Sequence, residues 1–189
     1  MAHIKLIILD FDGTLADTRL ANADAYIAAL REEGIILTRE EYLEKYYGVR
    51  CIEFMHMVGF NDENSISRIR RRKIELYPNY FDSVKLNVPL WEWCQMMRRD
   101  GVKVWIASTG HIDNISNVMR HLNIKDGVDG IISGDDVSNP KPAPDCFLKV
   151  MDIVGATPQE TIIFEDSAVG VEAARRSGAA FSIVHLDSN

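Results

Sequence analysis

The chain has 189 residues, 47% of them hydrophobic and 26% charged, with 21 Lys and Arg against 28 Asp and Glu for a formal net charge of -7. That length suffices for a proper core in one domain, or one domain with an insertion, and the acidic balance argues against a broad nucleic-acid footprint. No apolar run approaches the roughly 18–20 residues of a membrane-spanning helix. No secretory signal opens the chain, and the scattered cysteines Cys51, Cys94 and Cys146 lack metal-ligand spacing, so a cytoplasmic protein with no membrane partner is expected.

Ile4 to Leu9 is apolar apart from Lys5 and ends in Asp10-Phe11-Asp12-Gly13. So short an apolar run before a Gly turn reads as a strand buried on both faces, the kind found in parallel sheets. Strand alternation puts Asp10 and Asp12 on one side, at the carboxyl end where open α/β sheets bind ligands. Two carboxylates that close need a cation or a shared proton, and a hard divalent ion such as Mg2+ meets that need. The tetrapeptide can equally be a strand-ending turn and no more.

Helical patterns then follow in succession with no strand between them. Leu20, Ala23, Ile27 and Leu30 recur at helical spacing up to Gly34, and Thr38 with Glu41 forms a capping box, stapled by Leu37, for a helix ending at Gly48. Two more span Cys51 to Val58 and Ser65 to Tyr77, the latter closed by Pro78. The run Arg68-Ile69-Arg70-Arg71-Arg72-Lys73 reads mostly as a solvated face. Lys73, however, falls on the apolar stripe with Ile66, Ile69, Leu76 and Tyr77, so it either snorkels or points into a cleft.

From Leu90 helices and strands alternate. Helix Leu90 to Arg99 precedes strand Val102 to Ala107, helix Ile112 to Leu122 precedes strand Gly130 to Ile132, and helix Asp145 to Val154 precedes strand Thr161 to Phe164. Helix Ala168 to Ser177, stopped by Gly178, leads to strand Phe181 to Leu186. This is the grammar of a parallel sheet with helices on both faces. Trp91 and Trp93 read as core.

Three of the later strands end in groups suited to phosphate or metal. Ser108-Thr109-Gly110 offers hydroxyls and backbone N–H groups before a helix N-terminus, although Ser108 could simply cap that helix. Asn139-Pro140-Lys141-Pro142 holds one Lys between stiffening prolines, a fixed positive charge for a carboxylate and a phosphoryl oxygen. Glu165-Asp166-Ser167 supplies a second carboxylate pair, or a cap at Asp166.

Asp10-Phe11-Asp12-Gly13-Thr14-Leu15, Ser108, Lys141-Pro142-Ala143-Pro144-Asp145 and Glu165-Asp166-Ser167-Ala168-Val169-Gly170 together resemble the four motifs of the haloacid dehalogenase-like hydrolases, in their β-phosphoglucomutase-like branch. The resemblance covers nearly the whole chain. It implies an α/β fold, with a five-stranded parallel Rossmann-like sheet flanked by helices and an inserted α-helical cap. The core domain would be 1–16 and 87–189, and the four-helix cap 17–86. It implies that Asp10 is a nucleophile forming an aspartyl phosphate and Asp12 the acid and base. Asp10, the Asp12 carbonyl and Asp166 would hold Mg2+, with Glu165 beside it.

By the same resemblance Thr14, Ser108 and Lys141 would grip the phosphoryl group, joined by Thr109 and Gly110, while Lys73 and Arg50 would reach substrate from the cap. Dehalogenases of the superfamily lack the second Asp, so Asp12 points to phosphate chemistry. Asn22 stands where mutases of the family carry a His, which favours hydrolysis over phosphomutase action. The expected protein is a Mg2+-dependent, monomeric phosphatase of a small phosphorylated metabolite, a sugar or polyol phosphate. A β-phosphoglucomutase-like mutase and a non-catalytic metabolite-binding module are the alternatives.

Overall fold

The computed structural model describes residues 3–49 and 51–186. Its elements are β1 (Leu6–Leu9), β2 (Ala16–Asp17), α1 (Arg19–Glu32), α2 (Arg39–Lys45), α3 (Cys51–Met57) and α4 (Glu63–Leu76), then a 3-10 helix over Tyr77–Ser83. Beyond it come β3 (Lys85–Leu86), α5 (Val88–Arg99), β4 (Lys103–Ala107), α6 (Ile112–His121), β5 (Gly130–Ile132), α7 (Asp145–Val154), β6 (Thr161–Glu165), α8 (Ala168–Ser177) and β7 (Ala180–Ile183). They fall into two compact units, residues 18–84 and the remainder.

In the α/β unit the described residues form a five-stranded sheet in the order β5-β4-β1-β6-β7. Every pairing is parallel, with Leu6 of β1 level with Lys103 on one side and Thr161 on the other. Strands buried on both faces can be apolar throughout, and all of β1 is fully buried. Each such side chain contributes roughly 1.5–3 kcal/mol of burial. One sheet face carries Leu6, Ile8, Ala107 and Ile163, packed with Phe147 and Val150 of α7 and Ala173 and Ala174 of α8. The chain runs outward through β4 and β5, then returns to the other side of β1 for β6. That reversal makes a topological switch point at the carboxyl ends of β1, β4 and β6, the usual place for a ligand in an open α/β sheet.

Several boundaries differ from the sequence pattern. β1 stops at Leu9, so Asp10 to Asp12 lie in a turn rather than on a pleated strand. β2 and β3 form a two-residue antiparallel ribbon; elements this short carry no readable period. β7 begins and ends earlier than expected, because its ladder with β6 runs from Ala180 to Ile183. Trp91 and Trp93 are half-buried rather than core, Trp93 meeting Phe164 edge to face at 5.5 Å.

The helical unit has its own core, with Ala29 and Leu30 of α1, Tyr42 of α2, Phe54 and Met55 of α3 and Ile66 and Ile69 of α4. Leu20 does not belong to it; it is exposed, and the buried side of α1 is largely alanine. Thr38 caps α2 by accepting from Glu41 N at 3.1 Å, but the helix ends at Lys45, before Gly48. α4 starts earlier than expected because Asp62 caps it, accepting from Ser65 N at 2.8 Å. α4 ends at Leu76, ahead of Pro78, which sits in the first turn of the following 3-10 helix, where its missing N–H costs nothing. Arg68 and Arg72 pair with Glu33 and Glu32 at the end of α1.

Asp129, just before β5, ties the start of β4 to the end of α5. It accepts from Val104 N at 3.0 Å, Lys103 Nζ at 3.1 Å and Arg98 Nε at 3.1 Å. Burial by itself would raise its pKa, but these donors outweigh that and hold it below the usual carboxylate range. A depressed acid stabilises the fold above its unfolded pKa of about 3.9, and the contribution disappears as pH falls through the folded value. Asp129→Asn should therefore lower stability by about 1 kcal/mol at pH 7, allowing for solvent screening, with the difference from the parent shrinking below about pH 4. Urea unfolding of both proteins across that range checks it.

Candidate active site

The turn after β1 folds tightly back on itself. Asp10 N donates to Phe164 O at 2.9 Å, extending the pairing with β6, while Leu15 N and Ala16 N both donate to Phe11 O, at 3.1 and 2.9 Å. Gly13 adopts φ +94°, and a Cβ there would lie 2.2 Å from Asp166 Oδ2. Only glycine lets the turn adopt that conformation and pass so close to the carboxylate. The turn, not strand alternation, sets the directions of Asp10 and Asp12.

Lys141 is almost fully buried, and its ammonium makes three contacts: Asp10 Oδ1 at 2.6 Å, Glu165 Oε1 at 2.7 Å and Ala107 O at 3.0 Å. All three N–H donors of the ammonium are therefore engaged, which fixes it as a point charge. Glu165, at the last position of β6, is fully buried, and its other oxygen accepts from Ser167 N at 2.8 Å and Ser167 Oγ at 3.0 Å. Helix α8 approaches so closely here that a Cβ on Gly170 would meet Glu165 Oε1. Ser167, accepting from Gly170 N at 3.1 Å, is the cap of α8. Asp166 is thus not needed as a cap, and it accepts from Thr14 Oγ1 at 2.9 Å.

Thr14, expected on the phosphoryl group, is fully buried, and its hydroxyl donates to Asp166.

On the β4 side, Ser108 is buried and its Oγ accepts from Gly110 N at 3.0 Å. It does not cap α6; His111 does, through Nδ1 accepting from Asp113 N at 3.3 Å. A Cβ on Gly110 would lie 3.2 Å from Ser108 Oγ and 3.3 Å from Asp12 Oδ2, so Gly110, Ser108 and the half-buried Asp12 share one corner. Thr109 is exposed. Lys73 is described with the helical unit, where it is buried and its Nζ lies 3.9 Å from the Tyr77 ring centre and 5.1 Å from that of Tyr26. Arg50 lies outside the described residues.

Asp10, Glu165 and Asp166 each offer an oxygen within 4.8 Å of the others. Burial, opposed by Lys141 and reinforced by Glu165 and Asp166, pushes the Asp10 carboxyl well above its usual range. Asp166 is raised too, by burial, then lowered in part by the Thr14 hydroxyl and raised by Glu165. Burial pulls Lys141 down, but Asp10 and Glu165 overcome it and keep the ammonium charged beyond its ordinary range. These carboxylates outnumber the one ammonium among them, so the cluster carries surplus negative charge on oxygen. That donor set fits a hard divalent cation, and the bare Cα of Gly13 keeps the approach to Asp166 clear.

Two contributors carried no side-chain signal. The Ala107 carbonyl belongs to the main chain, and the bracing of Glu165 by Ser167 rests on contacts two residues apart that polar residue type does not single out.

The family profile described as haloacid dehalogenase-like hydrolase matches residues 7–184. The chain belongs to the haloacid dehalogenase-like hydrolases. Among hydrolases with curated names, a phosphorylated carbohydrates phosphatase of Thermotoga maritima is 27% identical over 187 residues, covering 96% of this chain and 86% of its own length. A fructose-1-phosphate phosphatase of Escherichia coli is also 27% identical, covering 91% of this chain and 92% of its own. Among solved structures, CbbY from Rhodobacter sphaeroides in complex with phosphate superposes with a TM-score of 0.83 at 25% identity, over 94% of this chain and 84% of that one. Among the described residues of this hydrolase, no helix is long and apolar enough to cross a membrane.

Proposed function

We propose that this hydrolase is a Mg2+-dependent phosphatase that cleaves a small phosphorylated metabolite, a sugar or polyol monophosphate, by way of an aspartyl phosphate on Asp10. The reading is carried by the convergence of Asp10, Glu165 and Asp166 at the strand ends, with Lys141 paired to the first two. Phosphoryl transfer is mainly positioning and neutralisation of oxygens, which this cluster is built to provide. The names of the relatives point the same way.

Lys141 holds Asp10 Oδ1, which orients the carboxylate for in-line attack by an oxygen on phosphorus. The bond from phosphorus to the ester oxygen breaks, and Asp12 delivers its proton to that oxygen, so the alcohol leaves neutral. Asp12, now a carboxylate, takes a proton from water as the water oxygen attacks phosphorus. The bond to Asp10 then breaks and inorganic phosphate is released, returning both residues to their starting states. Ser108 Oγ, held by the Gly110 N–H, and the N–H at Thr109 receive the phosphoryl oxygens. Asp10, the Asp12 carbonyl and Asp166 would hold Mg2+, which would supply neutralising charge for the phosphoryl oxygens when bound. Both Glu165 oxygens are already engaged, so Glu165 braces Lys141 beside the ion. The inserted helical unit serves as the specificity cap, with Lys73 and Arg50 as its candidate substrate contacts.

The test is phosphate release from a panel of sugar, polyol and nucleotide phosphates, with Mg2+ and after chelation. Turnover of one or a few esters, lost on chelation and restored by Mg2+, is expected. Isomerised sugar phosphate with little free phosphate would replace this reading with a mutase, and tight binding without turnover would replace it with a binding module.

A further inference from the structure

Asn87 stands between β3 and α5, where the chain re-enters the α/β unit, and its amide serves two elements at once. Its Oδ1 accepts from Leu90 N at 3.3 Å and so caps α5, while its Nδ2 donates to Thr14 O at 3.0 Å, across 73 positions of the chain. The main chain joins in, because Asn87 N donates to Leu15 O at 2.8 Å and carries the β2–β3 ribbon one residue further. Capping α5 needs an acceptor and meeting the Thr14 carbonyl needs a donor, and an amide offers both on one rigid group. Asp or Ser would cap the helix as well as Asn does, so capping alone does not call for an amide. Asp lacks the donor, and Ser is one bond shorter.

What lies beyond Thr14 gives this contact its consequence. Thr14 is fully buried, and its hydroxyl donates to Asp166 Oδ1 at 2.9 Å, which aims one carboxylate of the cluster formed by Asp10, Glu165 and Asp166. Thr14 is thereby joined to Asn87 at its carbonyl and to Asp166 at its hydroxyl. A shift of the carbonyl carries the hydroxyl with it, since the peptide is planar and a buried β-branched side chain has little freedom at χ1. Partners that orient a ligating group are typically worth about ten- to a hundredfold in metal affinity, and Asn87 acts one link further out.

Resting on the Mg2+-dependent reading above, we propose that Asn87 is a positioning residue for the metal site, acting through Thr14 to hold Asp166 in its ligating direction. The segment by which the chain returns from the helical unit is then tied to the carboxylate cluster by side-chain contacts, not by proximity alone.

The experiment titrates Mg2+ calorimetrically into wild type, Asn87→Ser, Asn87→Ala, Thr14→Val and the double variant Asn87→Ser/Thr14→Val. Melting temperatures are taken in EDTA, and p-nitrophenyl phosphate turnover is followed against Mg2+ concentration. Asn87→Ser keeps a cap for α5 and loses the donor to Thr14 O, so it should melt within about 4 °C of wild type. Its Mg2+ affinity should nevertheless fall about fivefold. Asn87→Ala, which also loses the cap, should melt lower still with the same loss of affinity. The Mg2+ needed for half-maximal turnover should rise in step. Because both residues act on one carboxylate, the double variant should bind Mg2+ no more weakly than Thr14→Val does.

Unchanged Mg2+ affinity in both Asn87 variants, with wild type binding the ion, would mean that Asn87 caps α5 and no more, and would overturn this proposal alone. So would losses that add in full in the double variant, because the effect would then bypass Thr14. If wild type bound no Mg2+, the metal-dependent reading would fail first and take this one with it.

Discussion

Asp10→Asn is expected to reduce phosphate release by on the order of 10^4-fold while leaving the protein folded, since a nucleophile acting as part of a unit is lost whole when it is removed. Such a loss corresponds to about 5–6 kcal/mol of transition-state stabilisation. The amide keeps the shape of the carboxylate, and Lys141 retains Glu165 at 2.7 Å and the Ala107 carbonyl at 3.0 Å, so it is not left as a bare buried charge. The exchange also removes one anion from a cluster with surplus negative charge. Its melting temperature should consequently stay near that of the parent. Phosphate release and thermal unfolding measured on the same preparation separate the two effects. Turnover within about tenfold of wild type in the folded variant would remove Asp10 from the chemistry.

Lys141→Ala should behave in the opposite way, losing stability together with activity. The side chain joins Asp10 and Glu165, residues at the ends of neighbouring strands, and both pairs are almost entirely buried. Breaking a buried pair by removing one partner typically costs about 3–5 kcal/mol, because the remaining charge is stranded. In a chain of 189 residues, that implies a melting temperature lower by roughly 10 °C or more. The sign with pH follows from the same charges. Asp10 is already raised by burial, and without the ammonium it rises further, which costs stability above the folded pKa and costs nothing below the unfolded one. The deficit should therefore shrink as pH falls, and Mg2+ should recover part of it at neutral pH. A Lys141→Ala protein as stable as wild type at pH 7, with or without Mg2+, would show that the ion pair does not hold these strand ends together.

The alternation of short apolar runs with amphipathic helices after Leu90, and the uninterrupted helical patterns before it, were legible because burial on two faces and burial on one leave different periods. Boundaries were less so. α4 begins two residues before the expected Ser65 because Asp62 accepts from Ser65 N, and it ends at Leu76, ahead of Pro78, where a 3-10 helix takes over. Capping was the alternative to a site role for Ser108 and Asp166; His111 and Ser167 take those caps, which leaves both residues for the site. Cap choice depends on which side chain the turn directs at the helix end, and neighbouring polar residues offer the same chemistry.

By itself, the sequence determined which residue types stand at the ends of the strands and in what order, because hydrophobic period and turn residues are local properties. What only the tertiary structure decided was which atoms meet. Lys141 and Asp10 are 131 positions apart, and Thr14 and Asp166 are 152 apart. Thr14, a phosphoryl ligand by the family resemblance, donates its hydroxyl to Asp166. Hydrogen-bond pairing over such separations is set by strand order and the close approach of backbones, as at Gly13 and Gly170, so it exists only once the sheet has formed.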